Sequence, residues 1–285
     1  MNAALRPGDH VCWMYDDERD RLAAAAGFVL AGLADGHRTV YCATGEPAAA
    51  MPATLRAGGI DVPAALRTGR LILAAAADVY LTGGRFDPGE CLARWSRGAE
   101  QARTDGYRGL RAVADMTWAA DRPPGAGVLA GYELAVNGIV AEGFASGVCQ
   151  YDVRRFTAPR LRTIQMAHPS SLRAGAPGDT VPLLRIRRLP GPRLQLDGEC
   201  DLSNRTAVQV TVAAVCRDAA AVGQEAVIDV TGLRFADVAT GRMLVRAAAT
   251  VPGGITVTGC TKSLTRLLRM FGAREPNIRC RAGDR

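Results

Sequence analysis

Residues 8–20 read Gly8-Asp9-His10-Val11-Cys12-Trp13-Met14-Tyr15-Asp16-Asp17-Glu18-Arg19-Asp20. The apolar run at residues 11–15 predicts a β-strand, and a helix is predicted over residues 17–34. Carboxylates in the first turn of a helix interact favourably with its macrodipole, and Gly36 follows the predicted end of this helix. A strand therefore leads through an acidic turn into a helix.

The same alternation continues over the first 170 residues. Further strands are predicted at residues 40–43, 71–73, 110–114 and 146–151. Further helices are predicted at residues 51–58, 88–104 and 127–141. Strands and helices in alternation predict an α/β domain in which helices cover both faces of a parallel sheet.

The rest of the chain shows a second α/β pattern. Strands are predicted at residues 183–186, 193–202, 226–230 and 255–258, with a turn at 190–192 between the first two. Helices are predicted from Ser203 or Asn204 to about residue 222, then at 241–250 and 262–271.

A segment without apolar periodicity separates the two patterns. Residues 168–179 are rich in Pro, Gly and Ser, which is typical of a linker. We therefore expect one domain at residues 5–170, a linker at residues 171–180 and a second domain at residues 181–285.

Composition and charge limit the classes of function. The hydrophobic fraction of 48% and the charged fraction of 22% are those of a globular protein. The net charge of +7 invites a nucleic-acid hypothesis. The arginines are spread along the chain, however, and no helix-turn-helix, zinc-finger or aromatic-basic pattern accompanies them. We expect no direct binding of nucleic acid.

The eight cysteines contain no CxxC pair. The sequence shows no signal-peptide pattern and no uncharged apolar stretch of membrane-spanning length. We therefore expect a cytoplasmic location, no membrane partner and mostly reduced, buried cysteines.

Polar and thiol side chains occur at spacings that place them on shared faces. His10 and Cys12 lie two apart on a predicted strand, as do Cys149 and Tyr151, so each pair projects to one side. Asp115 follows a strand at its carboxyl end, where open α/β sheets place ligand sites. We predict a pocket at that sheet edge, formed by His10, Tyr15, Asp115, Trp118, Glu133 and Tyr151.

Most of these residues also have an ordinary structural interpretation. His10 is equally well explained as a core histidine whose ring nitrogens bond backbone groups. Cys12 and Cys149 are explained by burial alone, as small apolar side chains. Asp115 is explained as a cap of the following helix or as a hydrogen-bond partner of a loop, and Trp118 as a packing residue.

Glu133 is the stronger candidate for a functional role. It lies four residues before Asn137 and shares a helix face with it, and a buried carboxylate needs a partner. A metal or redox site is an alternative, because imidazole and thiolate suit zinc and iron, although the spacing is not that of a compact motif. Its ligands would be His10, Cys12, Cys149 and His168. The sequence does not identify a cofactor.

The order of elements in the first domain resembles the RecA-like ATPase fold. In such domains the first strand leads into a glycine-rich loop that ends in Lys and Ser/Thr and wraps the phosphates. Residues 15–20 contain no glycine, no lysine and four carboxylates. The negative charges would repel a triphosphate, so we expect neither ATP hydrolysis nor another enzymatic activity.

These features together resemble the MEDS sensory domains, which are proposed to detect small organic ligands in prokaryotes. The resemblance covers roughly residues 5–170 and is carried by residues 8–15, Tyr132-Glu133, residues 149–152 and His168-Pro169. It implies a possible small organic ligand. The candidate ligand-binding residues are His10, Cys12, Tyr15, Asp115, Trp118, Glu133, Cys149, Tyr151 and His168.

The second domain resembles the STAS domain, the fold of anti-sigma-factor antagonists. Residues 196–201 and 228–237 carry the resemblance, which extends to Phe271-Gly272. In that family a loop of Asp, two small hydroxyl residues and Gly follows the central strand, and phosphorylation there breaks anti-sigma binding. The corresponding residues are Asp237-Val238-Ala239-Thr240-Gly241, so neither hydroxyl position can be phosphorylated.

The resemblance implies a partner, an anti-sigma factor or a histidine-kinase-like ATPase. Thr240 occupies the position of the glycine, and two interpretations stay open: a displaced phosphorylation site or a helix cap. The candidate partner-binding residues are Asp201, Asp237, Val238, Ala239, Thr240 and Arg242.

The sequence favours a regulatory signalling protein in which a small-ligand sensor, and not phosphorylation, controls a STAS module of the anti-sigma-antagonist type. An enzyme in the first domain and a scaffold that senses no ligand are the alternatives. A homodimer is a further possibility, because RecA-like domains often associate.

Overall fold

The strand predicted at residues 11–15 is β1 (His10–Tyr15) in the computed structural model, which describes residues 5–44, 47–174, 183–272 and 277–282. Asp16 and Asp17 connect it to α1 (Glu18–Ala34). The Asp17 carboxylate accepts hydrogen bonds from the backbone N–H groups of Arg19 and Asp20. It thereby satisfies two donors that have no partner inside the helix. The prediction of a strand, an acidic turn and a helix is confirmed.

The chain divides into two units, and the first is built on a six-stranded sheet. After α1 the elements are β2 (Arg38–Ala43), α2 (Pro47–Ala57), α3 (Val62–Arg67), β3 (Leu71–Ala75), α4 (Ala76–Tyr80), β4 (Leu81–Thr82), β5 (Arg85–Phe86), α5 (Pro88–Thr104), β6 (Leu110–Asp115), α6 (Leu129–Ala141), β7 (Ala145–Asp152), α7 (Ala158–Met166) and β8 (Ser170–Arg173). The strand order in the sheet is β3-β2-β6-β7-β1-β8. The four pairs from β3 to β1 are parallel, as predicted.

Opposite faces of this sheet carry separate sets of buried side chains, because successive residues of a strand point to opposite sides. Val11, Trp13 and Tyr15 pack with α1 on one side, called here the α1 face. Cys12 and Cys149, which are paired in the register of β1 and β7, lie on the other side among aromatic residues. Residues of α5 and α6 cover this second side, called here the α6 face.

Several short elements of the first unit were not predicted. They are α3, α4, the β4–β5 hairpin, α7 and β8, most of which are too short to show a clear period. Strand β8 includes residues 171–173, which the sequence assigned to the linker. Residues 175–180 of the predicted linker lie outside the described residues.

The second unit contains a five-stranded sheet. Its elements are β9 (Leu184–Leu189), β10 (Arg193–Cys200), α8 (Arg205–Ala221), β11 (Ala226–Ala236), α9 (Val238–Ala248), β12 (Ile255–Cys260), α10 (Lys262–Gly272) and β13 (Ile278–Ala282). The strand order is β13-β12-β11-β10-β9. Strands β9 and β10, which were predicted to be joined by a turn, form an antiparallel pair, and the other neighbouring pairs are parallel.

Helix α9 begins three residues earlier than the predicted 241–250 helix, at Val238. The Asp237 side chain accepts a hydrogen bond from the backbone N–H of Thr240, which caps the helix at that point. The stretch that was expected to form a loop therefore forms the first turn of α9.

Among the described residues, no helix combines the length and the apolar character needed to cross a bilayer.

Candidate functional site

His10 lies at the start of β1 and is only 2% exposed. Its Nδ1 atom is 2.7 Å from the side-chain oxygen of Asn137 on α6. That oxygen only accepts hydrogen bonds, so Nδ1 carries the proton and donates it. The other ring nitrogen, Nε2, lies on the side of Glu133 and Cys149.

Glu133 lies one helical turn before Asn137 on α6 and is fully buried. Its Oε1 atom accepts a hydrogen bond from the Tyr151 hydroxyl of β7. Its Oε2 atom lies 3.4 Å from His10 Nε2 and 3.5 Å from Cys149 Sγ. Cys149 Sγ is in turn 3.5 Å from His10 Nε2. These three atoms form a nearly equilateral triangle, and the three residues are called here the His10 cluster.

The ligand atoms of these three residues are of the kinds that bind metal ions. All three residues are buried, and their ligand atoms lie within 4.8 Å of one another. Nitrogen, oxygen and sulfur donors at this separation make the His10 cluster capable of holding a metal ion. His168, a further residue of the predicted set, is buried and belongs to the second unit.

Burial and charge determine the protonation of the thiol. Burial, together with the nearby charge of Glu133, raises the pKa of Cys149 well above its usual value. The same two causes raise the pKa of the Tyr151 hydroxyl. Both groups therefore carry their protons at neutral pH in the absence of a cation.

Cys12 is close to the cluster but does not belong to its group of ligand atoms. Burial and the charge of Glu133 raise the pKa of its thiol above the usual value. The alternative metal set predicted from the sequence is therefore corrected at one position. Glu133 occupies the place that was given to Cys12, because α6 packs its carboxylate against Cys149.

Two residues of the predicted pocket lie elsewhere in the first unit. Tyr15 belongs to the α1 face, and its hydroxyl is 3.0 Å from Thr117 Oγ1. Asp115 accepts hydrogen bonds from the backbone N–H groups of Thr117, at 2.9 Å, and Thr44, at 3.3 Å. The expectation of one pocket for all six residues is wrong, because His10 and Tyr15 lie at opposite ends and on opposite faces of β1. The Asp115 carboxylate is therefore a hydrogen-bond partner of loop residues, which was one of the two structural interpretations offered for it.

Trp118 packs against aromatic neighbours beyond the carboxyl end of β6. Its ring centroid lies 5.2 Å from that of Tyr80 and 5.0 Å from that of Phe86. It also lines a cavity of about 270 Å³ together with Thr44 and Asp121. The Trp118 ring therefore packs mainly against aromatic side chains, and one side of it borders this cavity.

A larger apolar cavity on the α6 face was missed by the sequence analysis. Its volume is about 420 Å³, within the range of small-molecule sites. The small side chains of Ala112 and Ala114 leave space between the sheet and Trp95 of α5. Arg38 and Arg94 are the charged residues of its lining. The signal for this cavity in the sequence was the presence of alanine, at residues 112 and 114, in a strand whose other residues are larger.

The predicted partner residues of the second unit surround the start of α9. Arg205 forms an ion pair with the Asp237 carboxylate at 2.9 Å. The Thr240 hydroxyl donates to the same carboxylate at 2.8 Å and is buried. Asp201 accepts hydrogen bonds from Ser203, and Val238 is exposed.

Arg242 is one of the arginines that line a groove on this unit. The guanidinium lies 4.7 Å from the ring centroid of Phe271. Ala239, Arg242, Arg205 and Arg246 line a groove of about 430 Å³ between α8 and α9. The structure thus brings the predicted partner residues together around one basic groove and one helix start.

Family models match both parts of the chain. The model described as "MEDS: MEthanogen/methylotroph, DcmR Sensory domain" matches residues 9–169. The model described as "Mlab, STAS domain" matches residues 187–278. The matches occur in the order that the sequence resemblances predicted, and the predicted fold class is confirmed. No match was found among the curated proteins.

Two solved structures show a distant likeness to the chain. The KaiC-like protein PH0186 from Pyrococcus horikoshii OT3 is 12% identical, with a TM-score of 0.43, and the likeness covers 69% of this chain and 88% of that protein. The flagellar accessory protein FlaH from Methanocaldococcus jannaschii is 10% identical, with a TM-score of 0.42, and the coverage is 65% and 74%. Values this low carry no argument about activity.

Proposed function

We propose that this chain, which belongs to the MEDS family of sensory domains, is a regulatory protein whose STAS unit binds a partner under control of the sensory unit. The combination of a sensory domain and a STAS domain supports a role in signalling. The observation that carries the finer proposal is an exposed apolar patch at the start of α9.

Three apolar side chains form this patch. Leu202 is 60% exposed, and Phe235 and Val238 are each 51% exposed. Leu202 follows β10, Phe235 lies near the end of β11, and Val238 begins α9. Because β10 and β11 are neighbours in the sheet, the three side chains lie at one edge. Exposed apolar side chains that cluster in this way mark sites of protein interaction.

The adjacent groove indicates the charge of the partner. Arg205, Arg242 and Arg246 line it, while Asp237 is paired with Arg205. A basic groove beside an apolar patch suits a partner surface with carboxylates around an apolar centre. STAS domains commonly bind anti-sigma factors or kinases, and we propose a histidine-kinase-like ATPase as the partner of this unit.

The apolar cavity of the sensory unit supports the second part of the proposal. Its lining of Val40, Ile72, Ala112 and Trp95 suits a small, mainly apolar organic molecule. Control by such a ligand would replace control by phosphorylation, since Val238 and Ala239 carry no hydroxyl group.

We also propose that the sensory unit does not hydrolyse ATP. Asp16 and Asp17 alone connect β1 to α1. The Asp17 carboxylate accepts hydrogen bonds from the backbone N–H groups of Arg19 and Asp20 at the start of the helix. A triphosphate would have to displace an internal anion there. All eight cysteines are free thiols, which supports a reducing, cytoplasmic location. Whether the chain forms a homodimer stays a prediction.

The test compares matched substitutions in the full chain. Val238→Asp adds a charge to the patch, and Val222→Asp adds the same charge at the end of α8, where Val222 is 62% exposed. Each protein is immobilised and exposed to native cytosol, and retained proteins are identified by mass spectrometry. We expect wild type and Val222→Asp to retain a histidine-kinase-like ATPase or an anti-sigma factor, and Val238→Asp to lose it. Absence of such a partner with wild type, or equal retention by Val238→Asp, contradicts the proposal.

A further inference from the structure

The His10 cluster has the dimensions of a metal site. Bonds of about 2.0 Å from Zn²⁺ to nitrogen and oxygen and about 2.3 Å to sulfur, at tetrahedral angles, separate the ligand atoms by about 3.3–3.6 Å. The observed separations are 3.4 Å between His10 and Glu133 and 3.5 Å from Cys149 to each of them. The three atoms therefore match one face of a coordination tetrahedron.

We propose that His10, Glu133 and Cys149 bind a divalent transition-metal ion of the Zn²⁺ class inside the sensory unit. This proposal concerns the sensory unit alone and does not depend on the partner of the STAS unit.

The neighbours of the ligands support this assignment. Metal-binding imidazoles usually donate their other N–H to an oxygen, which fixes the ring and its tautomer. His10 Nδ1 donates to Asn137 in this way, and Nε2 is the ring atom that faces Glu133 and Cys149. The Tyr151 hydroxyl holds Glu133 Oε1 and leaves Oε2 on the side of Cys149. His10 and Glu133 are therefore each oriented by a second residue before any ion binds.

The charges of the site also suit a divalent ion. The three residues are buried, and a cation among them would offset the charge of Glu133. On binding, a metal–sulfur bond forms at Cys149 and the thiol proton leaves to solvent, with no change in oxidation state. Imidazole, thiolate and carboxylate in one set favour zinc or a similar borderline ion over Mg²⁺ and Ca²⁺, which prefer oxygen ligands alone.

The competing interpretation is a metal-free polar network in which the thiol and the imidazole are hydrogen-bonded to the carboxylate. The two interpretations differ in what they predict for metal content and for spectra. Co²⁺ is the appropriate probe, because a tetrahedral site with a thiolate ligand gives visible ligand-field bands and a near-ultraviolet charge-transfer band.

The experiment uses the full chain, stripped of metal by a chelator in mild denaturant and returned to buffer. Zn²⁺ binding is measured by elemental analysis after dialysis, and Co²⁺ binding by absorption. We expect about one ion per chain and both kinds of band. A wild-type protein that folds, retains no Zn²⁺ and shows no thiolate band with Co²⁺ overturns the proposal without recourse to any variant.

Two alanine variants identify the ligand. Cys149→Ala removes a ligand, while Cys42→Ala removes a buried thiol of the same sheet face that lies outside the cluster. We expect Cys149→Ala to lose the charge-transfer band and to weaken Zn²⁺ binding at least about 100-fold, and Cys42→Ala to keep both. Circular dichroism of each variant establishes that it is folded. A band that persists in folded Cys149→Ala overturns the ligand assignment.

Discussion

Glu133 and Asn137 lie one helical turn apart on α6, and both side chains contact the imidazole of His10. Glu133 lies 3.4 Å from Nε2, and Asn137 lies 2.7 Å from Nδ1. One helix face therefore provides both the acceptor for Nδ1 and the carboxylate beside Nε2. The spacing of four residues that suggested a shared face in the sequence has this structural result.

Asn137 is expected to act as a positioning residue for His10. Asn137→Ala removes the acceptor of the Nδ1 proton, so the ring is free to rotate and to change tautomer. We expect Co²⁺ affinity to fall about 10- to 100-fold with the charge-transfer band of Cys149 retained. Asn137→Asp keeps an oxygen acceptor and should restore most of the affinity. Equal affinity in wild type and Asn137→Ala contradicts this role.

The cavity on the α6 face is expected to bind small aromatic molecules. The probe is 8-anilinonaphthalene-1-sulfonate, whose sulfonate can approach Arg38 or Arg94. Ala112→Leu fills part of the cavity, and Ala57→Leu adds the same group at the exposed end of α2. We expect saturable fluorescence enhancement with wild type and Ala57→Leu, and at least about tenfold weaker binding with Ala112→Leu. Identical titration curves for all three proteins contradict the prediction.

Thr240 is expected to have a structural role. Its hydroxyl is buried and donates to Asp237 at 2.8 Å, so a kinase cannot reach it without opening the start of α9. Thr240→Val should lower the free energy of unfolding by about 1 kcal/mol, measured by urea denaturation. Thr250→Val, at an exposed hydroxyl, serves as the control and should change it by less than about 0.5 kcal/mol. Phosphate found on Thr240 by peptide mass spectrometry after treatment with STAS-directed kinases would show that the site is accessible.

The Asp237 carboxylate is expected to make stability depend on pH. Burial alone would raise its pKa, but the hydrogen bonds from Arg205 and Thr240 prevail and hold the pKa below the ordinary 3.8. A carboxylate with a lowered pKa in the folded state stabilises it above the unfolded pKa, and this contribution is lost as the pH falls through the folded pKa.

The measurement compares wild type with Asp237→Asn. The difference in the free energy of unfolding should be constant near pH 7 and should shrink between about pH 5 and pH 2. Asp218→Asn, which removes an exposed partner of Arg188, is the control and should show a smaller dependence on pH. A difference that does not change over this range contradicts the assignment.

Much of the fold follows from local patterns in the sequence. The apolar runs that became β1, β6 and β7 are long and bounded by turns, so their strands and parallel pairing were predictable. Strand β8 was not, because Ser170–Arg173 has too few apolar residues to show alternation. Its residues gain their structure from the neighbouring strand and not from their own composition.

The candidate site was predictable in its members but not in its arrangement. The odd spacing between His10 and Tyr15 already places them on opposite faces, and the pocket prediction considered only the edge of the sheet. The contact between Glu133 and Cys149 depends on how α6 packs on β7, which no local pattern reveals. The cavity beside Ala112 likewise depends on how α5 packs on the sheet, because the cavity is the space that their side chains leave unfilled.

The cap formed by Asp17 on α1 has a consequence for the anions around the protein. The start of a helix attracts a negative group, and here a side chain of the chain itself provides it. We therefore expect the fold of this corner to be the same whatever concentration of phosphate the surrounding solution contains.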